Sequence, residues 1–108
     1  MQLMEQLRQR IVTGVYQAGE KLPAVRELAE NAGVNPNTMQ RALSQLEAEG
    51  IITTNRTTGR VVTNDEETLK NLRMKIAQEK LEEFLKSMEV LGFSFIDIKQ
   101  LLEEREVK

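Results

Sequence analysis

The stretch GVNPNTMQRALSQLEAEG, residues 33–50, reads as a tight turn that runs into a helix. Asn35 is a favoured N-cap, because its side-chain oxygen accepts from a backbone N–H that the first turn leaves without a partner. Pro36 follows at the first helical position, where its missing N–H costs nothing. The helix is predicted to run to Glu49-Gly50. On a wheel of about 100° per residue, Met39, Ala42, Leu43 and Leu46 fall together on one side. Opposite them lie Asn37, Arg41, Ser44 and Ala48, flanked by Thr38, Gln40 and Gln45. One face is built for a core, and the front half of the other carries hydrogen-bonding groups that do no acid or base chemistry.

Upstream lies a second helix with Pro23 near its start and Val25, Leu28 and Ala29 on its buried face, and Ala32-Gly33 ends it. Two helices joined by a short turn containing Gly form the helix-turn-helix pattern. In that motif the N-terminal half of the second helix enters the major groove. Asn and Gln pair bidentately with adenine, Arg with guanine, and Thr or Ser with bases or phosphates. Further upstream, Leu3, Leu7 and Ile11, with Met4 and Val12 beside them, mark an amphipathic helix that stops near Gly14. The connector over residues 14–23, GVYQAGEKLP, carries a short extended piece around Lys21 and Leu22. Downstream, IITTNRTTGRVVT (51–63) has two β-branched runs around a polar turn and reads as a hairpin with Arg56 and Arg60 flanking its tip. Helix-turn-helix followed by a basic-tipped hairpin is a winged helix. Arg26 adds a cation beside the reading helix, either for phosphate or guanine or in a surface pair with Glu30 at i+4.

The string KLPAVRELAENAGVNPNTMQRALSQLEAEGII, with the hairpin that follows, resembles the DNA-binding domain of GntR-family bacterial transcription regulators. The resemblance runs without gaps over about residues 3–63. It combines the Leu-Pro-x-x-Arg-x-Leu-Ala element, the Asn-x-x-Thr turn and the Gly-x-Ile lead into the wing, which together are specific. It implies DNA contacts from Arg26, from Pro36, Asn37 and Thr38 at the start of the reading helix, from Gln40 and Arg41, and from Arg56, Thr58, Gly59 and Arg60 in the wing. Ser44 joins these as a phosphate contact. The sequence departs from the family pattern at three places. Ala24 stands where Ser is usual and removes a helix cap, Gln40 stands where a base is frequent, and Thr57 fills a wing position where Gly is common.

After the wing, apolar residues recur at Leu69, Leu72, Ile76, Ala77, Leu81, Phe84, Leu85, Met88 and Leu91. A helix over residues 66–91 is about 39 Å long. A winged helix is too small to cover that stripe along its length, so the remainder is expected to meet another copy or a partner. Gly92 ends this helix, and Ser94-Phe95-Ile96-Asp97 is a capping box, with Asp for Glu or Gln, opening a last helix with Ile98, Leu101 and Leu102 inward. The expected architecture is mainly α with a small β-hairpin wing (α+β). A winged helix-turn-helix domain (1–63) precedes a two-helix dimerisation arm (64–108) with Leu69, Leu72, Ile76, Leu81, Phe84, Leu85 and Met88 at its interface. The competing assignment is a long helix folded back on its own domain in a monomer. So short an arm resembles the YtrA-like branch of the GntR family. That resemblance implies dimerisation through the arm and a repressor, often of an ABC-transporter or envelope-stress operon. Phe93, Phe95 and Met88 are the candidate lining of an effector pocket between wing domain and arm, with plain core as the alternative. Family chains commonly begin a few residues earlier, so a start at Met1 implies trimming or a short N-terminus.

Composition narrows the chemistry. The 108 residues include no Cys and no His, which removes disulfides, thiol nucleophiles, imidazole bases and ordinary zinc sites. No cofactor or metal is expected, and an enzyme is disfavoured. Paired carboxylates such as Glu82-Glu83 or Glu103-Glu104 are the only raw material for such chemistry, and neighbours on a helix point about 100° apart. The net charge is −2. Residues 1–63 hold seven basic and six acidic side chains, a balance of +1, and residues 64–108 hold eight and eleven, a balance of −3. Placement rather than total charge must therefore carry any attraction to DNA. No apolar run suits a membrane span or a signal peptide, so the cytoplasm is the expected location. The reading that follows is a homodimeric regulator on an inverted-repeat operator. A winged helix serving as a protein-binding adaptor without DNA is the alternative.

Overall fold

The computed structural model describes residues 2–105. Among them are five helices and one hairpin: α1 (Gln2–Val12), α2 (Val25–Ala32), α3 (Pro36–Ala48), β1 (Ile52–Asn55), β2 (Gly59–Val62), α4 (Glu66–Val90) and α5 (Phe95–Glu104). This is the mainly helical fold with a small wing that the sequence predicts. The chain divides into two compact units, residues 1–74 and 75–108, and the division falls inside α4.

In the first unit, Leu3, Leu7 and Ile11 repeat every four residues along α1 and are all buried. Gly33, at φ +69°, ends α2: its N–H reaches the Glu30 carbonyl and the Val34 N–H reaches that of Ala29, a Schellman closure that needs a left-handed residue. Three residues later α3 begins. Met39, Ala42, Leu43 and Leu46, the apolar side of the wheel, are all buried, with Leu46 at 0% exposure. They meet Leu28 and Ala29 of α2 and the strand residues Ile52 and Val62 in one core. No polar or charged side chain among the described residues is buried in it.

The hairpin is antiparallel, pairing Ile52 with Val62, Thr53 with Val61, Thr54 with Arg60 and Asn55 with Gly59. Its turn is Arg56-Thr57-Thr58, closed by Asn55 Oδ1, which accepts from the Thr57 N–H at 2.8 Å and the Thr57 hydroxyl at 2.6 Å. The connector supplies a further segment along the outer side of β2. Lys21 bridges to Val61, the Leu22 N–H donates to the Arg60 carbonyl, and the Val62 N–H donates to the Glu20 carbonyl. The edge that a two-stranded wing would leave open is therefore paired. The same segment fixes Gly19, where an added Cβ would stand 2.6 Å from Asn64 Oδ1 at a φ of +78°.

Helix α4 is 25 residues long, about 37 Å. Its apolar positions divide in character. Leu72 is buried, Leu69, Ile76, Leu85 and Met88 are half-buried, and Leu81 and Phe84 are exposed. Leu91 falls in the turn after the helix. In the second unit the capping box forms as read: Ser94 Oγ accepts from the Asp97 N–H and Asp97 Oδ2 accepts from the Ser94 N–H. On α5 only Ile98 is buried. Leu101 and Leu102 do not point inward as expected and stand 39% and 55% exposed. The cause is geometric, since a pair of helices has one mutual seam and Ile98 occupies it.

Candidate nucleic-acid interface

The front of α3 is set by its cap. Asn35 Oδ1 accepts from the Asn37 N–H at 2.7 Å, with Pro36 at the first position. No acidic residue stands in the first turn, so the positive end of the helix dipole is left for an anion. Pro36, Asn37, Thr38, Gln40, Arg41 and Ser44 are all exposed. Among the described residues, none of the side chains of Asn37, Thr38, Gln40, Arg41 or Ser44 hydrogen-bonds to the protein, so their donors and acceptors remain available to a ligand. Gln45, next along the helix, is engaged: its Nε2 donates to Glu49 Oε2 at 3.0 Å.

The back of the same helix is tied down. Arg8 of α1 grips Glu49 in a two-point pair, Nη2 to Oε2 at 2.7 Å and Nε to Oε1 at 3.3 Å. Glu47 receives the Thr54 hydroxyl on one carboxylate oxygen, and its other oxygen lies 3.9 Å from Arg60 Nε. Acids are thus confined to the C-terminal end of α3, and both are engaged. Sequence reasoning saw Glu47 and Glu49 only as negative charges. Gln45, four residues before Glu49, is a helical neighbour, but Thr54, Arg60 and Arg8 lie 7 to 41 residues distant and follow no period, so no local pattern announces them.

The other candidates divide. Arg26, the second residue of α2, is exposed, and among the described residues no ion pair joins it to Glu30. Ala24 caps α2 without a side-chain bond. Arg56 and Thr58 lie exposed in the wing turn, and Gly59 begins β2. Arg60 sits within the ladder rather than at the tip, half-buried beside Glu47. Lys21 was missed as a basic neighbour of the wing. Its side chain passes Gly59, with Cε 3.8 Å from where a Cβ would stand.

In the second unit, Leu85, Phe93, Phe95 and Ile98 line a groove between α4 and α5, together with Glu82, Lys86 and Glu89. Met88 is not part of that lining. No group of three or more His, Cys, Asp or Glu among the described residues is arranged to hold a metal ion. None of the described helices is long and apolar enough to cross a membrane.

Residues 1–62 match the family described as bacterial regulatory proteins, gntR family. The chain is 39% identical over 94 residues to the uncharacterised HTH-type transcriptional regulator YhcF of Bacillus subtilis, covering 87% of this chain and 78% of that protein. It is 33% identical over 104 residues to the HTH-type transcriptional repressor YtrA of the same organism, covering 95% and 80%. A solved GntR-family transcriptional regulator from Listeria monocytogenes superposes with a TM-score of 0.83 at 40% identity, covering 97% of this chain and 92% of its own. A capped helix-turn-helix, a wing and a helical C-terminal region, on a chain aligned over most of its length with such regulators, place this protein in the gntR family of DNA-binding transcription regulators, among its YtrA-like members.

Proposed function

We propose that the protein is a homodimeric repressor that binds an inverted-repeat operator, with residues 1–63 as the DNA-binding domain and residues 64–108 as the dimerisation arm. The observation that carries this reading is the face of Asn37, Thr38, Gln40, Arg41 and Ser44, exposed on a capped helix and unengaged by the rest of the described protein. In this reading Asn37, Thr38, Gln40 and Arg41 meet base edges, while Arg26, Ser44 and the wing residues Arg56, Thr58, Gly59 and Arg60 meet the backbone. Arg41 is the one member of the base-reading set with the bidentate fork that guanine selects.

The dimer draws its support from the arm. Leu81 is 56% exposed, Phe84 also lies open on α4, and α5 leaves Phe95, Ile96 and Leu102 uncovered. A helical hairpin with that much apolar surface gains from burying it against a second copy. Leu69, Ile76, Leu85 and Met88 continue the same helix as half-buried positions, and Leu72 anchors it. Two reading helices held by such arms sit about 34 Å apart, which makes the operator an inverted repeat with half-sites one turn of duplex, or a multiple of it, apart. Repression follows if occupancy blocks polymerase, and the relative YtrA is named a repressor. An ABC-transporter operon is the target that the YtrA-like resemblance suggests. The groove holding Phe93 and Phe95 is the place for a small-molecule effector.

Selection from a random double-stranded DNA pool at near-physiological salt tests the reading, with Asn37→Ala/Arg41→Ala run in parallel. Enrichment of an inverted repeat by the wild type alone supports it. A single unrepeated site removes the dimer, and no enrichment by either protein favours the adaptor alternative.

A further inference from the structure

Glu47 stands in the last turn of the reading helix, yet its carboxylate serves the wing. One oxygen accepts the Thr54 hydroxyl from β1, and the other faces Arg60 Nε on β2 at 3.9 Å. Thr54 and Arg60 are themselves a cross-strand pair, so one side chain holds both strands at the same rung of the ladder. The core fixes the base of the wing, where Ile52 and Val62 are fully buried and paired. The connector holds the backbone of β2 as far as the Arg60 carbonyl, to which the Leu22 N–H donates, whereas Glu47 reaches side chains of both strands at the rung of Thr54 and Arg60. Beyond that rung come only Asn55, the turn and Gly59. Arg60 Nε is shielded from solvent and has no hydrogen-bond partner, although its side chain as a whole is 22% exposed. A shielded guanidinium nitrogen is stabilised by a nearby negative charge, and the Glu47 carboxylate stands 3.9 Å away.

We infer that Glu47 is a positioning residue: it locks the wing to the reading helix, so that the turn carrying Arg56 meets DNA in fixed register with Asn37–Arg41. This rests on the wing contact of the proposed function. A carboxylate close to DNA would by Coulomb's law alone weaken binding, so removing it should tighten the complex. The positioning role predicts the opposite sign. It also gives Arg60 a second role, since the guanidinium that faces Glu47 helps to place the wing.

The chain has no cysteine, so a spin-label pair can be placed by Ser44→Cys and Arg56→Cys on an otherwise unreactive background. Electron–electron distance measurement without DNA reads the wing directly. With labelled chain diluted in excess unlabelled chain, so that only pairs within one chain are read, the labelled parent should give one narrow distribution, Glu47→Ala a broad one, and Glu47→Gln an intermediate one, since its amide oxygen still accepts from Thr54. Thr54→Val, which removes the β1 half of the clamp, should also broaden it, and thermal unfolding of each variant confirms that the fold persists. With operator DNA, Arg56→Ala should weaken the wild type about fivefold and the Glu47→Ala background less than about twofold, because a wing out of register has no contact to lose. Unchanged distributions in Glu47→Ala and Thr54→Val, or tighter DNA binding by Glu47→Ala, would overturn the inference. If Arg56→Ala left wild-type affinity unchanged, the wing contact itself would fail, while the label distances would still decide what Glu47 does.

Discussion

Asn35 offers a way to separate the stability of the reading helix from its encounter with DNA. Its side chain makes one bond, from the Asn37 N–H at 2.7 Å, and is otherwise exposed. Asn35→Ala removes that acceptor, and losing such a cap costs about 1 kcal/mol. For a unit of this size that lowers Tm by about 4–8 °C. Asn35→Asp keeps the acceptor and adds a negative charge at the positive end of the helix, which is worth about 0.3–1 kcal/mol in stability. Its Tm should equal or exceed that of the wild type. If the same helix end faces phosphate, the added charge repels it. At about 7 Å in a water-like dielectric the repulsion is about 0.6 kcal/mol per phosphate, so affinity should fall about threefold at low salt and recover as salt rises. The two variants therefore move in different directions: alanine destabilises the fold, and aspartate destabilises the complex. Circular dichroism melts and fluorescence anisotropy on a labelled operator at two salt concentrations measure both quantities. An aspartate variant that is stable and binds as tightly as the wild type at low salt would show that the front of α3 does not point at the DNA backbone.

Three other outcomes follow from the packing. Leu46→Ala, at a side chain with no exposed surface, should cost about 2–5 kcal/mol and shift the urea midpoint without changing the slope. Arg8 and Glu49 pair at 22% and 26% exposure, so a double-mutant cycle on the two should give a coupling of only about 0.3–1 kcal/mol that shrinks with salt. In the arm, Leu81→Glu with Phe84→Glu should convert a species of twice the 12.3 kDa chain mass into a monomer by light scattering; a wild type that is already monomeric would refute the dimer.

What could be read from the sequence was what depends on near neighbours. The Asn35-Pro36 cap and the four apolar positions of α3 lie within one helix, and the capping box at Ser94 and Asp97 lies within one turn. All of these formed as read. The hairpin was visible in its β-branched runs, but not the placement of Arg60, which depends on a three-residue turn putting it opposite Thr54. The Glu47 clamp and the pairing of Lys21 with Val61 are likewise contacts across the fold, which no periodicity encodes. The arm shows the same limit from another side. Leu72 and Leu81 belong to one apolar stripe, yet one is buried and the other open. A stripe tells which face seeks cover, not which residues receive it. Leu101 and Leu102 were placed inward for that reason and stand exposed.

If the front of α3 reads bases, its contacts must show up one base pair at a time. Each base pair of a selected half-site is replaced in turn, and affinities are measured for the wild type and for Arg41→Ala at one salt concentration. The wild type should lose about 1–3 kcal/mol at each contacted pair, and Arg41→Ala should lose discrimination at one pair while keeping it at the others. If Arg41→Ala instead weakened every sequence alike, Arg41 would be a backbone contact, and the assignment of α3 as the reading element would fail at its strongest residue.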